Sequence, residues 1–190
     1  MSLHALLLPT FTQMLRALNS WLEKAALHRA ATGTDIDGLL STRLAPDMYP
    51  LSSQIRFACF QAQEPIYRLS GAALPDDLLL LRRQGWNAGE EPGTWEQARA
   101  CVSDALACLA GVAPGALDDH GDRIIALELP NGMVFDMQPA AYARDWCLPQ
   151  FYFHLTTAYT ILRQQGVALG KADYVAHMLA YLRPTGATSA

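Results

Sequence analysis

The chain has 190 residues, 51% of them hydrophobic and 17% charged, enough for one domain with its own core and too apolar for a disordered polypeptide. Its formal net charge of −4 argues against a nucleic-acid binder, which needs a basic face. No stretch approaches the roughly 20 apolar residues of a membrane span.

The N-terminus, MSLHALLLP, lacks a basic region and a small-residue cleavage pattern, and reads as mature protein. The four cysteines (Cys59, Cys101, Cys108, Cys147) have no CxxC spacing. They read as free thiols of a reducing cytoplasm, ahead of a disulfide framework or a zinc knuckle.

A first helix is predicted from about Leu7 to Arg29, because Phe11, Met14, Leu18, Trp21, Ala25 and His28 recur every three or four residues. Pro9 is tolerable only near its start, so any earlier turn should be irregular. A short helix is expected over Asp35–Leu40. Asp47 then reads as the N-cap of a second long helix (50–70), with Leu51, Ile55, Ala58, Ala62, Ile66 and Leu69 on its buried face. Pro65 inside that pattern predicts a kink or break.

From Ala72 to Gly93 no period is visible. Four consecutive leucines (Leu78 to Leu81) run into Gly, Asn and Pro punctuation, so this segment reads as a long functional or mobile loop. Thr94 and Gln97 have capping-box spacing before a third long helix (94–110), whose inner face is Trp95, Ala98, Val102, Ala105 and Leu109.

Two strands, 123–129 and 133–137, flank Pro130-Asn131-Gly132. Asn131 and Gly132 are expected to supply the positive φ angles of a tight hairpin turn. Gln138 to Cys147 looks helical and leads into the most periodic stretch, Leu148 to Gly170, with a helix predicted over 149–165. Leu148, Phe151, Tyr152, Leu155, Ala158, Tyr159 and Leu162 form its apolar arc, and Thr156, Thr157, Thr160, Arg163 and Gln164 the opposite one. His154 lies at the boundary between the two. A last short helix is expected over Lys171–Leu182, with 183–190 as a tail beyond a single domain of residues 1–182. Four long amphipathic helices and one inserted hairpin predict an all-α bundle.

Arg43 to Leu51 (RLAPDMYPL), the PNG hairpin and Leu148 to Tyr174 (LPQFYFHLTTAYTILRQQGVALGKADY) together resemble an uncharacterised bacterial family of the DinB/YfiT-like superfamily. The likeness runs from about Leu3 to Tyr174. It implies an up-down-down-up four-helix bundle, usually cytoplasmic and often dimeric. Better-studied relatives hold a divalent metal with three histidines, one from helix two and a pair at i and i+4 near helix four, and some transfer thiols or hydrolyse amide-like bonds. This sequence departs from that triad. Helix two has no histidine, and His154 is followed at i+4 by Ala158. Since zinc wants three or four ligands at about 2.0–2.3 Å, no stoichiometric transition metal and no cofactor are predicted.

His154 is open to three readings: a metal ligand, an acid/base group, or a core histidine bonded through both nitrogens. The boundary position predicts that it points toward helix two near Gln54, with Asp47 closing the same end of the bundle. Burial there would oppose protonation and an Asp47 carboxylate would favour it. Tyr152 and Tyr159 read as core packing, and Asp118, Asp119 and Asp122 around His120 as a solvated turn.

Three functions from different classes follow. The favoured one is metal-free binding of a small molecule between helices two and four, in a pocket lined by Asp47, Gln54, His154 and Tyr159. The second is a metal-dependent enzyme with a non-standard site joining His154 to carboxylates distant in sequence. The third is a homodimeric interaction protein using Leu78–Leu81 and the hairpin. Neither nucleic acid nor membrane is expected as a partner.

Overall fold

The structure, a computed structural model, describes residues 2–119 and 123–183. Its elements are α1 (Leu3–Thr32), a 3-10 turn (Asp37–Ser41), α2 (Leu51–Ser70), α3 (Asp76–Asn87), α4 (Trp95–Ala110), β1 (Ile125–Glu128) and β2 (Val134–Met137). Then come α5 (Pro139–Ala141), a π-helical turn (Tyr142–Cys147), α6 (Leu148–Gln164), α7 (Lys171–Tyr174) and a 3-10 segment (Ala176–Tyr181). The long helices α1, α2, α4 and α6 form an all-α bundle with the hairpin inserted before α6. Each of α1 and α2 packs against both α4 and α6, which places α1 and α2 on one diagonal. His120, Asp122 and the tail from 184 lie outside the described residues.

α1 begins four residues earlier than its periodicity indicates. Ser2 caps it, with its hydroxyl accepting from the Ala5 N–H at 2.9 Å and donating to Asp118 at 2.7 Å, while Asp118 also accepts from the His4 N–H. Pro9 deprives only the Ala5 carbonyl of a partner, and both residues are exposed, so water can answer it. Pro65 does not break α2 either, because α3, α4 and α6 enclose that helix on three sides. Asp47 is not the N-cap of α2. It is exposed, and Pro50 occupies the cap position.

The stretch read as a loop contains α3. Asp76 and Asp77 occupy its first turn, where carboxylates favour the positive end of the helix. Leu78 and Gly85 are buried against α2, so the leucine run is not the exposed patch expected of it, and only Leu80 stands well out at 46% exposure. Exposed apolar side chains gather instead on the hairpin, at Ile124, Met133, Val134 and Phe135.

Gly85 sets how closely α3 and α2 approach, since a Cβ there would meet the Phe57 ring at 2.6 Å. Gly85→Ala should therefore destabilise the protein by about 1–3 kcal/mol through overpacking. That outweighs the ~1 kcal/mol of helix propensity gained. Urea denaturation checks it, and a more stable variant would contradict the close packing.

The hairpin pairs Ile125 with Met137 and Glu128 with Val134. Its loop differs from the expected two-residue turn: Gly132 has φ +84°, no non-glycine residue among the described residues has positive φ, and the Gly132 N–H bonds the Leu129 carbonyl. Pro130, whose φ is locked, opens a three-residue loop that needs only one left-handed residue. Arg68 donates to the Ala126 carbonyl at 3.2 Å and Arg123 to the Leu69 carbonyl at 3.0 Å, tying the hairpin to the end of α2.

Candidate functional site

A cavity of about 220 Å³ opens between α2, α3, α6 and the hairpin. Its side chains come from two helical stripes. On α2 these are Phe57, Phe60, Gln61 and Glu64; on the chain entering α6 they are Trp146, Gln150 and His154, one turn apart. Trp146 sits in the π-helical turn, a local widening often found where a helix serves a site. α3 adds Arg82 and Trp86, the hairpin closes one wall with Leu127 to Pro130, and Tyr49 stands at the rim.

His154 is mostly buried, its ring packed on Phe57 (centroids 4.9 Å) and Phe153 (5.3 Å). Its Nδ1 lies 2.9 Å from Gln54 Oε1, while Gln54 Nε2 donates to the Tyr49 carbonyl at 3.1 Å. A carbonyl can only accept, so the Gln54 amide is oriented with its oxygen toward the imidazole. His154 must then carry its proton on Nδ1. That leaves Nε2 as a lone pair with no partner among the described residues. Burial lowers the His154 pKa to about 4, so near neutral pH the ring is neutral and this nitrogen is a hydrogen-bond acceptor.

Other polar groups around the cavity are less than fully answered. Glu64 is buried at 2% exposure. Its Oε1 accepts from Arg68 Nε at 2.7 Å, and its Oε2 has no partner. Burial works against the Arg68 charge, and the Glu64 carboxylate beside it more than restores it. Gln61 Oε1, Arg82 Nε and Trp146 Nε1 are also enclosed without partners. The Arg82 guanidinium lies over the Phe60 and Trp86 rings, at 5.3 and 5.0 Å from their centroids.

Of the four residues expected to line a pocket, the structure brings Gln54 and His154 together, and only His154 is in the cavity lining itself. Asp47 is exposed and absent from the lining, and the His154 pKa is shifted by burial, with no contribution from Asp47. Tyr159 faces the other way, its ring 5.2 Å from Trp21 and 5.5 Å from Tyr174. The sequence reading missed Phe57, Glu64, Arg82, Trp86 and Trp146. A signal for part of this set was available: Gln54, Gln61 and Glu64, with Phe57 between them, follow steps of three and four on α2 and put three polar side chains on one line of a buried helix. Among the described residues no group of three or more His, Cys, Asp or Glu is placed to hold a metal ion.

Residues 3–175 match the family described as a domain of unknown function, DUF1993. The chain belongs to this family. A crystal structure of a DinB family member protein from Shewanella denitrificans is similar to it at 29% identity, covering 98% of this chain and 96% of that one with a TM-score of 0.76. The resemblance read from the APDM and FYFHLTTAYTILR strings therefore stands for DUF1993, as a DinB-like bundle with an inserted hairpin. No curated protein matches the chain. No helix among the described residues is long and apolar enough to cross a membrane.

Proposed function

We propose that this DUF1993 protein binds a small organic molecule in the cavity beside His154, and that it does so in the cytoplasm without a transition metal. The observation that carries the reading is the oriented Gln54–His154 pair. It holds a neutral imidazole with its Nε2 lone pair unanswered, in a cavity where buried polar atoms of Gln61, Glu64, Arg82 and Trp146 also lack partners. Buried polar groups are normally satisfied, and an unsatisfied one costs about 1–3 kcal/mol. Those atoms have almost no accessible surface, whereas His154 Nε2 is not among the enclosed ones, so it is the imidazole that a ligand's donor can reach.

Size and walls narrow the ligand. An apolar cavity of about 150 Å³ can hold benzene, so 220 Å³ suits a ring or short chain with one or two polar substituents. Phe57, Phe60, Trp86 and Trp146 offer flat apolar faces. His154 Nε2 asks for a donor, such as a hydroxyl or an amide N–H.

Benzamide and benzyl alcohol are suitable probes, followed by the fluorescence of Trp86 and Trp146. Saturable quenching is expected, with affinity at least tenfold weaker in His154→Phe, which keeps an aromatic ring beside Phe57 but has no acceptor. Native mass spectrometry of untagged protein would report any copurified ligand. Equal affinity in wild type and variant would remove His154 from the site.

A further inference from the structure

A second site lies on the far side of α3. Arg56 is buried at 3% exposure, and no carboxylate among the described residues lies within 4.0 Å of its guanidinium. Nη1 donates to the Ser52 hydroxyl, to the Ser52 carbonyl at 3.3 Å and to the Pro92 carbonyl at 3.2 Å. Nε is enclosed without a partner, and Nη2 has none among the described residues. Burial pushes the thiols of Cys59 and Cys101 up, so neither supplies a thiolate as counter-ion. An uncompensated buried cation is costly, because neutral acceptors replace only part of its hydration.

Arg56 also lines an open pocket of about 400 Å³ between α2, α3 and the start of α4, together with Arg83, Gln84, Asn87, Glu91 and Gln97. Gly93, with φ +74°, keeps that pocket clear beside the guanidinium, since a Cβ there would stand 2.8 Å from Nη2. Gln97 Oε1 already accepts from the Thr94 N–H, so its amide nitrogen is left to donate. Two guanidinium groups face one carboxylate, the exposed Glu91, which opposes an anion and forms no ion pair with either arginine. The lining shares no residue with the cavity at His154.

We infer that this pocket binds an oxyanion, the phosphate or carboxylate group of a small molecule, between Arg56 Nη2 and Arg83. Two cationic forks need a ligand with at least two acceptor oxygens, and the ligand supplies the full negative charge that the fold withholds from Arg56.

The test is calorimetric titration with inorganic phosphate and, separately, acetate, at ionic strength held constant with sodium chloride. At least one anion should bind saturably to wild type, and the tighter of the two identifies the class. Arg83→Ala, an exposed substitution compatible with folding, should weaken binding at least tenfold, as should Arg56→Gln. Glu91→Gln should tighten it several-fold. No saturable binding of either anion overturns the inference, as does unchanged affinity in Arg83→Ala. Loss of stability in Glu91→Gln without tighter binding also overturns it, since Glu91 would then be the counter-ion of Arg56 itself. If Arg56→Gln fails to fold, the Arg83 and Glu91 variants decide.

Discussion

Trp21→Ala should lower the stability of the protein by about 3–5 kcal/mol, the range for removing a fully buried aromatic ring. Trp21 has no exposed surface. Its ring meets Tyr159 edge-on at 5.2 Å and stacks on Tyr174 at 5.5 Å, while its indole N–H donates to the Asp173 carbonyl at 3.2 Å. One side chain thus joins α1, α6 and α7. Asp173 reinforces the joint: it pairs with Lys24 at 2.5 Å and accepts from the Gly170 N–H at 2.7 Å. The Lys24 ammonium holds its carboxyl below the usual range. Trp21→Phe should cost less, because a ring still fills most of the space. Urea denaturation measures both variants, and a loss below about 1 kcal/mol for the alanine variant would show that neighbouring side chains collapse into the gap. Trp21 is not in the lining of the His154 cavity, so benzamide binding to the folded variants should match wild type.

The elements legible in the sequence are those that bury one face. Trp95, Ala98, Val102, Ala105 and Leu109 are all buried, and the Thr94–Gln97 capping box is formed as its spacing predicts. The same logic failed where an element is covered on several sides. In α2 every residue from Leu51 to Ala62 is buried, polar ones included, so its period reveals only one of three partners. The unseen partner is α3, whose four leucines in a row hide the steps between Leu78, Leu81 and Gly85 that face α2. The arc on α6 was slightly misplaced. Thr157 is buried, and can be because its hydroxyl donates to the Phe153 carbonyl at 2.7 Å; Leu148, Tyr152 and Tyr159 are only half-buried. Periodicity put His154 beside Gln54, but a cavity wall depends on which helices meet, and for Arg82, Trp86 and Glu128 that is a tertiary fact. Asp47 failed for a local reason: the chain turns between two prolines, and Pro50 rather than Asp47 enters the helix.

His154 should make the protein sensitive to acid through one identifiable titration. Its pKa is about 4 in the folded protein because burial disfavours the charged ring, against roughly 6.5 in an unfolded chain. Between those values the unfolded chain holds the extra proton, so stability falls as pH falls. The contribution of the neutral ring is fully present above about 6.5 and is lost progressively down to the folded value, by about 3 kcal/mol at one pKa unit per 1.36 kcal/mol. Acid also titrates carboxylates held low in the fold, such as Asp173 and Asp145, which would mask the effect in wild type alone. Comparison with His154→Gln removes them, since the variant keeps every carboxylate. The stability difference between the two proteins should be constant from pH 7 to 8 and should shift against wild type by up to about 3 kcal/mol as pH approaches 4. The imidazole signals should show an Nδ1–H tautomer at neutral pH and a midpoint well below the ordinary histidine value. Parallel stability curves for the two proteins, or a midpoint near 6.5, would mean that His154 is solvated, and the orientation argument through Gln54 would fall with it.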